Sequence, residues 1–444
     1  METLHVGFDD TDSPRGGCTT YIAALLVEKL EKLGVAFIDY PNLIRLNPNV
    51  PWKTRGNGAL CLRIACDEHT TPTVFETVAD TVEENSDLGF KDTDPGIVFF
   101  KGAKIPREIK AFAKITIQGI VTMNQALRLV KRFKAEALGF GTGYGIVGAL
   151  AAVGETLEED HTFEVIAYRT PENCGTKRQV DAQSIIRMDR ETAPLTFNNF
   201  DPESRRVLIT PRGPDPILYG VRGETPNAVI QAHSLIRALE PVERWVVFRT
   251  NHGTDAHLKR VEAISQIQPY HPVTVDGRVA SAPRLIPRRH RVFPIEDATG
   301  SVDCAAYEPT GALRKVAGQL VVGDKVEVHG GVRPSTSQHP LTVNLEKLRI
   351  IKLASKLASR NPKCPRCAKR VSSMGKGQGL RCPRCGYRST DLKKITVEES
   401  RGITEGLYVT SLRSQRHLTK PLSRYGKEDK TAKTVKMVAE WHCP

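Results

Sequence analysis

Three carboxylates within four residues, Asp9, Asp10 and Asp12, are the densest chemistry near the start of this chain. They belong to the stretch Gly7 to Thr20, which also carries the hydroxyls of Thr11, Ser13, Thr19 and Thr20 and the pair Gly16-Gly17. Clustered Asp oxygens suit Mg²⁺, a hard cation that shares its ligands with phosphate. Glycine backbone N–H groups and a helix N-terminus favour an anion. Carboxylates and phosphates repel each other unless a cation bridges them, so the two halves point to one metal–phosphate site. Asp9, Asp10 and Asp12 are therefore expected to bind Mg²⁺ and act in catalysis, with Thr11, Ser13, Arg15, Gly16, Gly17 and Thr20 around the phosphates. A capped surface turn uses the same residue types. No Gly-x-x-x-x-Gly-Lys-Ser/Thr sequence is present, so a nucleotide site here is not a Walker loop.

The elements that position this stretch are legible around it. Alternating Leu4, Val6 and Phe8 predict a strand leading in, and Ile22, Leu25, Leu26, Leu30 and Leu33 predict an amphipathic helix leading out. Extended segments follow at Val35–Asp39 and Leu43–Leu46, then a turn, a strand at Ala59–Ala65 and helices over about 72–84 and 122–137. The turn places Lys53 and Arg55 beside Gly56, Asn57 and Gly58, which reads as a second phosphate-contacting loop or as a basic turn. Asp92 to Gly96 offers a further carboxylate or only turn chemistry. Gly143-Tyr144-Gly145-Ile146-Val147-Gly148 fits Gly-x-Gly-x-x-Gly formally, but no strand–helix–strand unit with a downstream acid surrounds it. It reads as a turn that brings backbone near a substrate, or as close packing ahead of the apolar helix Ile146–Val153.

Residues 171–270 form a second mixed α/β unit, with a strand at Val207–Thr210, a proline-rich loop at 211–216, a helix over about 226–239 and a strand at Trp245–Arg249. Asn251 to His257 closes it, with two histidines and an Asp that suit a hydrogen-bonding loop better than a metal. Residues 271–352 turn all-β: Val273–Val279, a hairpin of His290–Ile295 and Ser301–Ala305, Leu320–Glu327 and Leu341–Ile350 resemble an OB-fold, a barrel that presents a face to single-stranded nucleic acid.

Cys364-Pro365-Arg366-Cys367 and Cys382-Pro383-Arg384-Cys385, 14 residues apart, match a four-thiolate tetrahedral Zn²⁺ site of the zinc-ribbon kind. All four positions are filled by protein, so this zinc is structural, and metal and fold are coupled in so small a segment. The net charge of +14 is concentrated here: residues 351–444 hold 22 Lys and Arg against 7 Asp and Glu, which leaves the first 350 residues near neutral. Such a block is what binding a phosphate backbone requires. The tail from Tyr408 to Pro421 and on through Lys436 reads as a nucleic-acid-contacting extension. No apolar run approaches the ~18–20 residues of a membrane span, and Met1 to Val6 is no signal sequence, so a cytoplasmic protein without an obligate protein partner is expected.

Taken together, Gly7–Thr20, Leu43–Pro48 through Lys53–Gly58, Gly148–Gly154, Tyr219–Gly223 and Arg416–Pro421 make the chain resemble the archaeal tRNA(Ile) 2-agmatinylcytidine synthetases over nearly its whole length. The resemblance implies a multidomain α/β and β protein: an ATP-binding kinase-like domain without a P-loop (1–170), a ferredoxin-like α+β domain (171–270), an OB-fold barrel (271–352) and a zinc ribbon with a basic tail (353–444). It implies a ligase that uses ATP, with Mg²⁺, to join agmatine to C2 of the wobble cytidine of the CAU-anticodon isoleucine tRNA through a phosphorylated cytidine, releasing AMP and phosphates. It also implies that Thr19, next to Cys18, is autophosphorylated. Agmatine is a cation and needs carboxylates, for which Asp94, Asp215 and Asp255 are candidates. Two other readings of the residues stand beside this one: a non-catalytic single-stranded nucleic-acid binder made of the barrel and ribbon, and a metal-dependent phosphoesterase.

Overall fold

The computed structural model describes residues 1–54, 56–429 and 436–444. Its first strand, β1 (Glu2–Asp9), turns Leu4, Val6 and Phe8 to one face, all fully buried. It pairs antiparallel with β4 (Gly58–Cys66) and β5 (Gly96–Lys101). Short β2 (Ala36–Phe37) and β3 (Asn42–Arg45) pair with β4, and β6 (Glu136–Gly139) flanks β5. Helices α1 (Thr19–Lys32) and α2 (Thr71–Glu84) cover the Leu4 face, burying Ile22, Leu26 and Leu30 and Val74, Val78 and Val82 at helical spacing. The opposite face carries α3 (Arg107–Gln118), α4 (Met123–Arg132) and α5 (Ile146–Gly154), the last buried throughout.

The helix expected over 122–137 starts at a capping box of Thr122 and Gln125 but stops at Arg132; Lys134 adopts a positive φ of 52° and the chain becomes β6. Helix α3 was not anticipated, although Ile109, Phe112, Ala113 and Ile117 carry its pattern.

The same sheet continues into the second unit. β7 (Thr162–Arg169) lies between β11 (Ile217–Gly223) and β12 (Val242–Thr250), while β8 (Thr196–Phe197) edges β11; β9 (Phe200–Asp201) and β10 (Arg206–Val207) form a separate ribbon. The strand expected at Val207–Thr210 is thus only its first residue. Parallel pairing of β12 with β3, Arg249 to Asn42 and Thr250 to Leu43, joins the halves into one 11-stranded sheet. With α6 (Ala182–Thr192) and α7 (Pro226–Leu235) they share one apolar core, running from Leu4 and Leu26 to Tyr219 and Phe248. β7, grouped by the sequence with the first unit, pairs with strands of the second.

After β13 (Lys259–Arg260) comes a barrel of β14 (Val273–Val279), β16 (His290–Asp297), β17 (Gly300–Ala306), β18 (Lys325–Arg333) and β19 (Thr342–Lys352), with β15 (Arg284–Ile286) beside β16. Pairing of β14 with β16 closes it, β17 runs parallel to β19, and α8 (Ala312–Ala317) lies between β17 and β18, an OB-fold arrangement. The ribbon pairs β20 (Leu357–Arg360) with β24 (Ile395–Glu398) and β21 (Ser372–Ser373), β22 (Leu380–Arg381) and β23 (Arg388–Ser389) with one another.

The tail is not a loose extension. β25 (Gly406–Val409) adds to β19, Leu418, Thr419, Lys420 and Arg424 are buried, and β26 (His442–Cys443) pairs with β12. Trp441 completes the core of the first sheet, meeting Phe37 and Tyr40 edge-on. Lys420 and Arg424 are consumed by Asp160, Glu224 and Glu428, so these tail cations hold protein rather than RNA. Lys430 and Lys433 lie outside the described residues. No described helix is long and apolar enough to cross a membrane.

Candidate active site

β1 delivers Asp9 to the rim of a cavity of about 350 Å³, and Asp10 and Asp12 line the same cavity. Asp9 lies against α5: a β-carbon on Gly148 would stand 1.7 Å from Asp9 Oδ2, so only glycine permits this approach. Asp10 has a φ of 61° and accepts the Asp94 backbone N–H at 3.1 Å. Thr19 and Thr20, the first residues of α1, and Gly145 and Gly148, at the start of α5, also line the cavity. Two helix N-termini therefore converge on the aspartates, a field that favours an anion. The glycine run ahead of α5 admits a turn near substrate or close packing, and Gly145 and Gly148 do both, lining the cavity while Gly148 lies against Asp9.

Burial and the adjacent Asp10 push the Asp9 carboxyl well above the ordinary carboxylate range. Burial, with Asp12 and Asp94 nearby, pushes Asp10 up to about 6 against the bond from Asp94 N–H. Crowded carboxylates of this kind fit a divalent cation. They do not converge into a closed cage: among the described residues the one group of three or more metal-ligand side chains within 4.8 Å is Cys364, Cys367, Cys382 and Cys385. An open arrangement suits Mg²⁺, which takes one or two carboxylates and completes its shell with phosphate and water.

The other expected phosphate residues divide. Lys53, Gly56 and Asn57 line the cavity. Thr11 lies behind it, donating to Thr19 Oγ1 at 3.0 Å. Ser13 and Arg15 are turned to Asp87, which takes Ser13 Oγ at 2.5 Å and Arg15 Nη2 at 2.5 Å, while Gly16 bridges back to Ser13 and Gly17 leads into Cys18. None of these four lines the cavity. Arg55 lies outside the described residues. Of the agmatine candidates, Asp215 lines the cavity and pairs with Arg178 at 3.0 Å; Asp94 binds the Thr142 N–H, and Asp255 pairs with Lys347, both outside it.

A groove of about 510 Å³ shares Arg45, Lys53, Gly56 and His417 with the cavity and runs on past Arg206, Arg222, Arg413 and Arg416. Among the described residues, no carboxylate lines it. The expected Asn251–His257 loop is hydrogen-bonding, as its composition indicated: Asn251 Nδ2 donates to the Arg45 carbonyl at 3.0 Å, and His257 Nε2 bonds Glu346 Oε2 at 3.1 Å.

In the ribbon, Cys364 and Cys385 Sγ are 3.5 Å apart and Cys367 and Cys382 Sγ 3.4 Å. A tetrahedron with Zn–S near 2.3 Å has edges of about 3.8 Å, so the four thiols fit Zn²⁺. Val371 and Leu380 supply the small core around them.

Models of the TiaS family match in sequence order: its TCKD domain over residues 5–142, its FLD domain over 143–257, an OB-fold nucleic acid binding domain over 273–351 and the TiaS C-terminal zinc ribbon over 361–403. The chain belongs to the TiaS family. The TiaS zinc ribbon accounts for the four cysteines, and the OB-fold model for the barrel. A TiaS of Staphylothermus marinus, a 2-agmatinylcytidine synthetase acting on an isoleucine tRNA, is 40% identical over 96% of this chain and 94% of its own length. That of Pyrococcus horikoshii is 41% identical over 96% and 98%. A crystal structure of a TiaS in complex with isoleucine tRNA and ATP superposes with a TM-score of 0.84 at 39% identity, covering 96% of this chain and 98% of that one. A TiaS complex with isoleucine tRNA, AMPCPP and agmatine gives 0.83 at 37% identity over 96% and 98%.

Proposed function

We infer that this chain is a tRNA(Ile) 2-agmatinylcytidine synthetase: an ATP-dependent ligase that joins agmatine to C2 of the wobble cytidine through a phosphorylated base. The observation that carries the reading is the junction of an aspartate cavity, fronted by two helix N-termini, with a groove that the described residues line with cations and without a carboxylate. One suits a metal-bound triphosphate, the other an RNA strand. A non-catalytic binder would have no use for half-buried, mutually repelling aspartates.

The base O2 is a poor leaving group until phosphorylated. Asp9, Asp10 and Asp12 would hold Mg²⁺, whose role is to offset charge on the transferring phosphoryl group. The N-termini of α1 and α5, with Lys53 and Asn57, cradle the phosphates. Thr19 sits among them with its oxygen fixed by Thr11. The agmatine amine then attacks C2 and the phosphate departs, while Asp215 is the carboxylate that the second unit contributes to the cavity for the guanidinium.

With the CAU-anticodon isoleucine tRNA, agmatine and Mg²⁺–ATP, Asp9→Asn is expected to abolish AMP release and leave tRNA affinity within about threefold. Loss of tRNA affinity with ATP turnover preserved would contradict the assignment.

A further inference from the structure

Five side chains that meet where the cavity joins the groove come from distant stretches of the chain: Arg45 (β3), Glu164 (β7), Arg222 (β11), His252 after β12, and His417 in the tail. Arg45 Nε donates to His252 Nε2 at 2.6 Å, which places the remaining imidazole proton on Nδ1, 2.9 Å from Glu164 Oε2. Arg222 Nε binds Glu164 Oε1 at 3.2 Å, and its Nη2 donates to His417 Nδ1 at 2.9 Å. The His417 ring stacks on His252 with centroids 5.0 Å apart. Its backbone is pinned as well, its carbonyl accepting Gly253 N–H at 2.8 Å.

Because Nδ1 of His417 accepts from Arg222, the proton is on Nε2. Nε2 faces the cavity beside Gly56, where a β-carbon would stand 3.3 Å from it, and makes no hydrogen bond to a described residue. Burial, with Arg45 and Arg222 on either side, lowers the His417 pKa well below its ordinary value, so the ring is an uncharged donor and has no nitrogen left to act as a base. His417 also lines both the cavity and the groove, at the joint where triphosphate and RNA must exchange a group.

We propose that His417 is a further catalytic residue of this site, a fixed hydrogen-bond donor through Nε2 to the phosphoryl group carried on the wobble base, with Arg222, Glu164, His252 and Arg45 as its positioning residues. The proposal rests on the synthetase reading of the cavity. It gives the tail motif Arg416 to Pro421 a task beyond packing: the chain's last segment completes a site begun by its first strand.

The test uses the full chain with the CAU-anticodon isoleucine tRNA, agmatine and Mg²⁺–ATP. His417→Phe keeps a ring on His252 but removes the donor, and is expected to lower kcat for wobble modification about 30-fold, as loss of a hydrogen bond to a charged group does, with tRNA and ATP affinities within about threefold. His417→Gln, whose amide N–H reaches the place of Nε2, is expected to recover most of that loss. A wild-type rate in His417→Phe overturns the proposal. So does an effect confined to KM for tRNA, which would move the contact to a backbone phosphate, and so does an equal loss in both variants accompanied by a lower melting temperature. Asp9→Asn run in parallel separates the two levels. An active Asp9→Asn overturns the site and this role with it; an inactive Asp9→Asn beside a fully active His417→Phe overturns the role of His417 alone.

Discussion

Thr11 Oγ1 donates to Thr19 Oγ1 across 3.0 Å, tying the middle of the acidic turn to the first residue of α1. Both are buried, and the bond fixes the Thr19 oxygen while leaving its own proton to point elsewhere. Thr19→Val keeps the shape and removes the hydroxyl. It is expected to eliminate phosphate incorporation at this position, read by peptide mass spectrometry after incubation with Mg²⁺–ATP. Thr11→Val, which only releases the orientation, is expected to slow it by about tenfold, the worth of one hydrogen bond.

Gly148 is where α5 touches Asp9. In Gly148→Ala a methyl would occupy the place of Asp9 Oδ2, so carboxylate or helix must move. Overpacking of this kind costs about 1–3 kcal/mol. The catalytic cost is expected to be larger, about 100-fold in ATP turnover for a displacement near 1 Å. Thermal melting and AMP release measured together separate the two.

Glu346 gives the contact between barrel and tail a pH dependence. Burial works against its charge, but His257, Arg416 and the Thr419 hydroxyl, which donates at 2.7 Å, outweigh burial and bring the carboxyl down to about 2 from 4.5. A depressed carboxylate contributes stability that is present above the unfolded value and lost as pH falls from about 4.5 toward 2. Glu346→Gln is expected to cost about 2 kcal/mol at pH 7, with the gap from the parent closing across that window in acid-unfolding curves.

The ribbon should respond to metal alone. Cys382→Ser, or chelation, removes one corner of the thiolate tetrahedron and is expected to unfold residues 361–403 while the first sheet melts unchanged. Zinc content by elemental analysis should fall, and tRNA affinity by about tenfold or more with the ribbon's cations no longer arrayed. ATP affinity is expected to stay at the parent value.

What was legible in the sequence was local. Asp9, Asp10 and Asp12 sit on one turn, and the two Cys-x-x-Cys pairs lie 14 residues apart, so composition and spacing reveal them without a fold. Ser13 and Arg15 share that turn, yet face Asp87, 72 positions from Arg15, and nothing in the turn announces its partner. Arg45, Glu164, Arg222, His252 and His417 are each ordinary in their own stretch. They become a network only because β12 pairs in parallel with β3 and the tail returns across the sheet. The basic tail misled for the same reason: Lys420 and Arg424 read as RNA contacts until Asp160 and Glu224 are brought beside them. Helix α3 was within reach, its apolar residues at the proper spacing.

The wobble nucleoside itself tests the central claim most directly. After incubation of the CAU-anticodon isoleucine tRNA with the protein, ATP, Mg²⁺ and agmatine, nucleoside mass spectrometry is expected to show cytidine at the wobble position heavier by agmatine less one water. The product should require all three small components and be absent with Asp9→Asn. An unmodified cytidine in the presence of folded, zinc-replete protein bound to that tRNA would contradict the account.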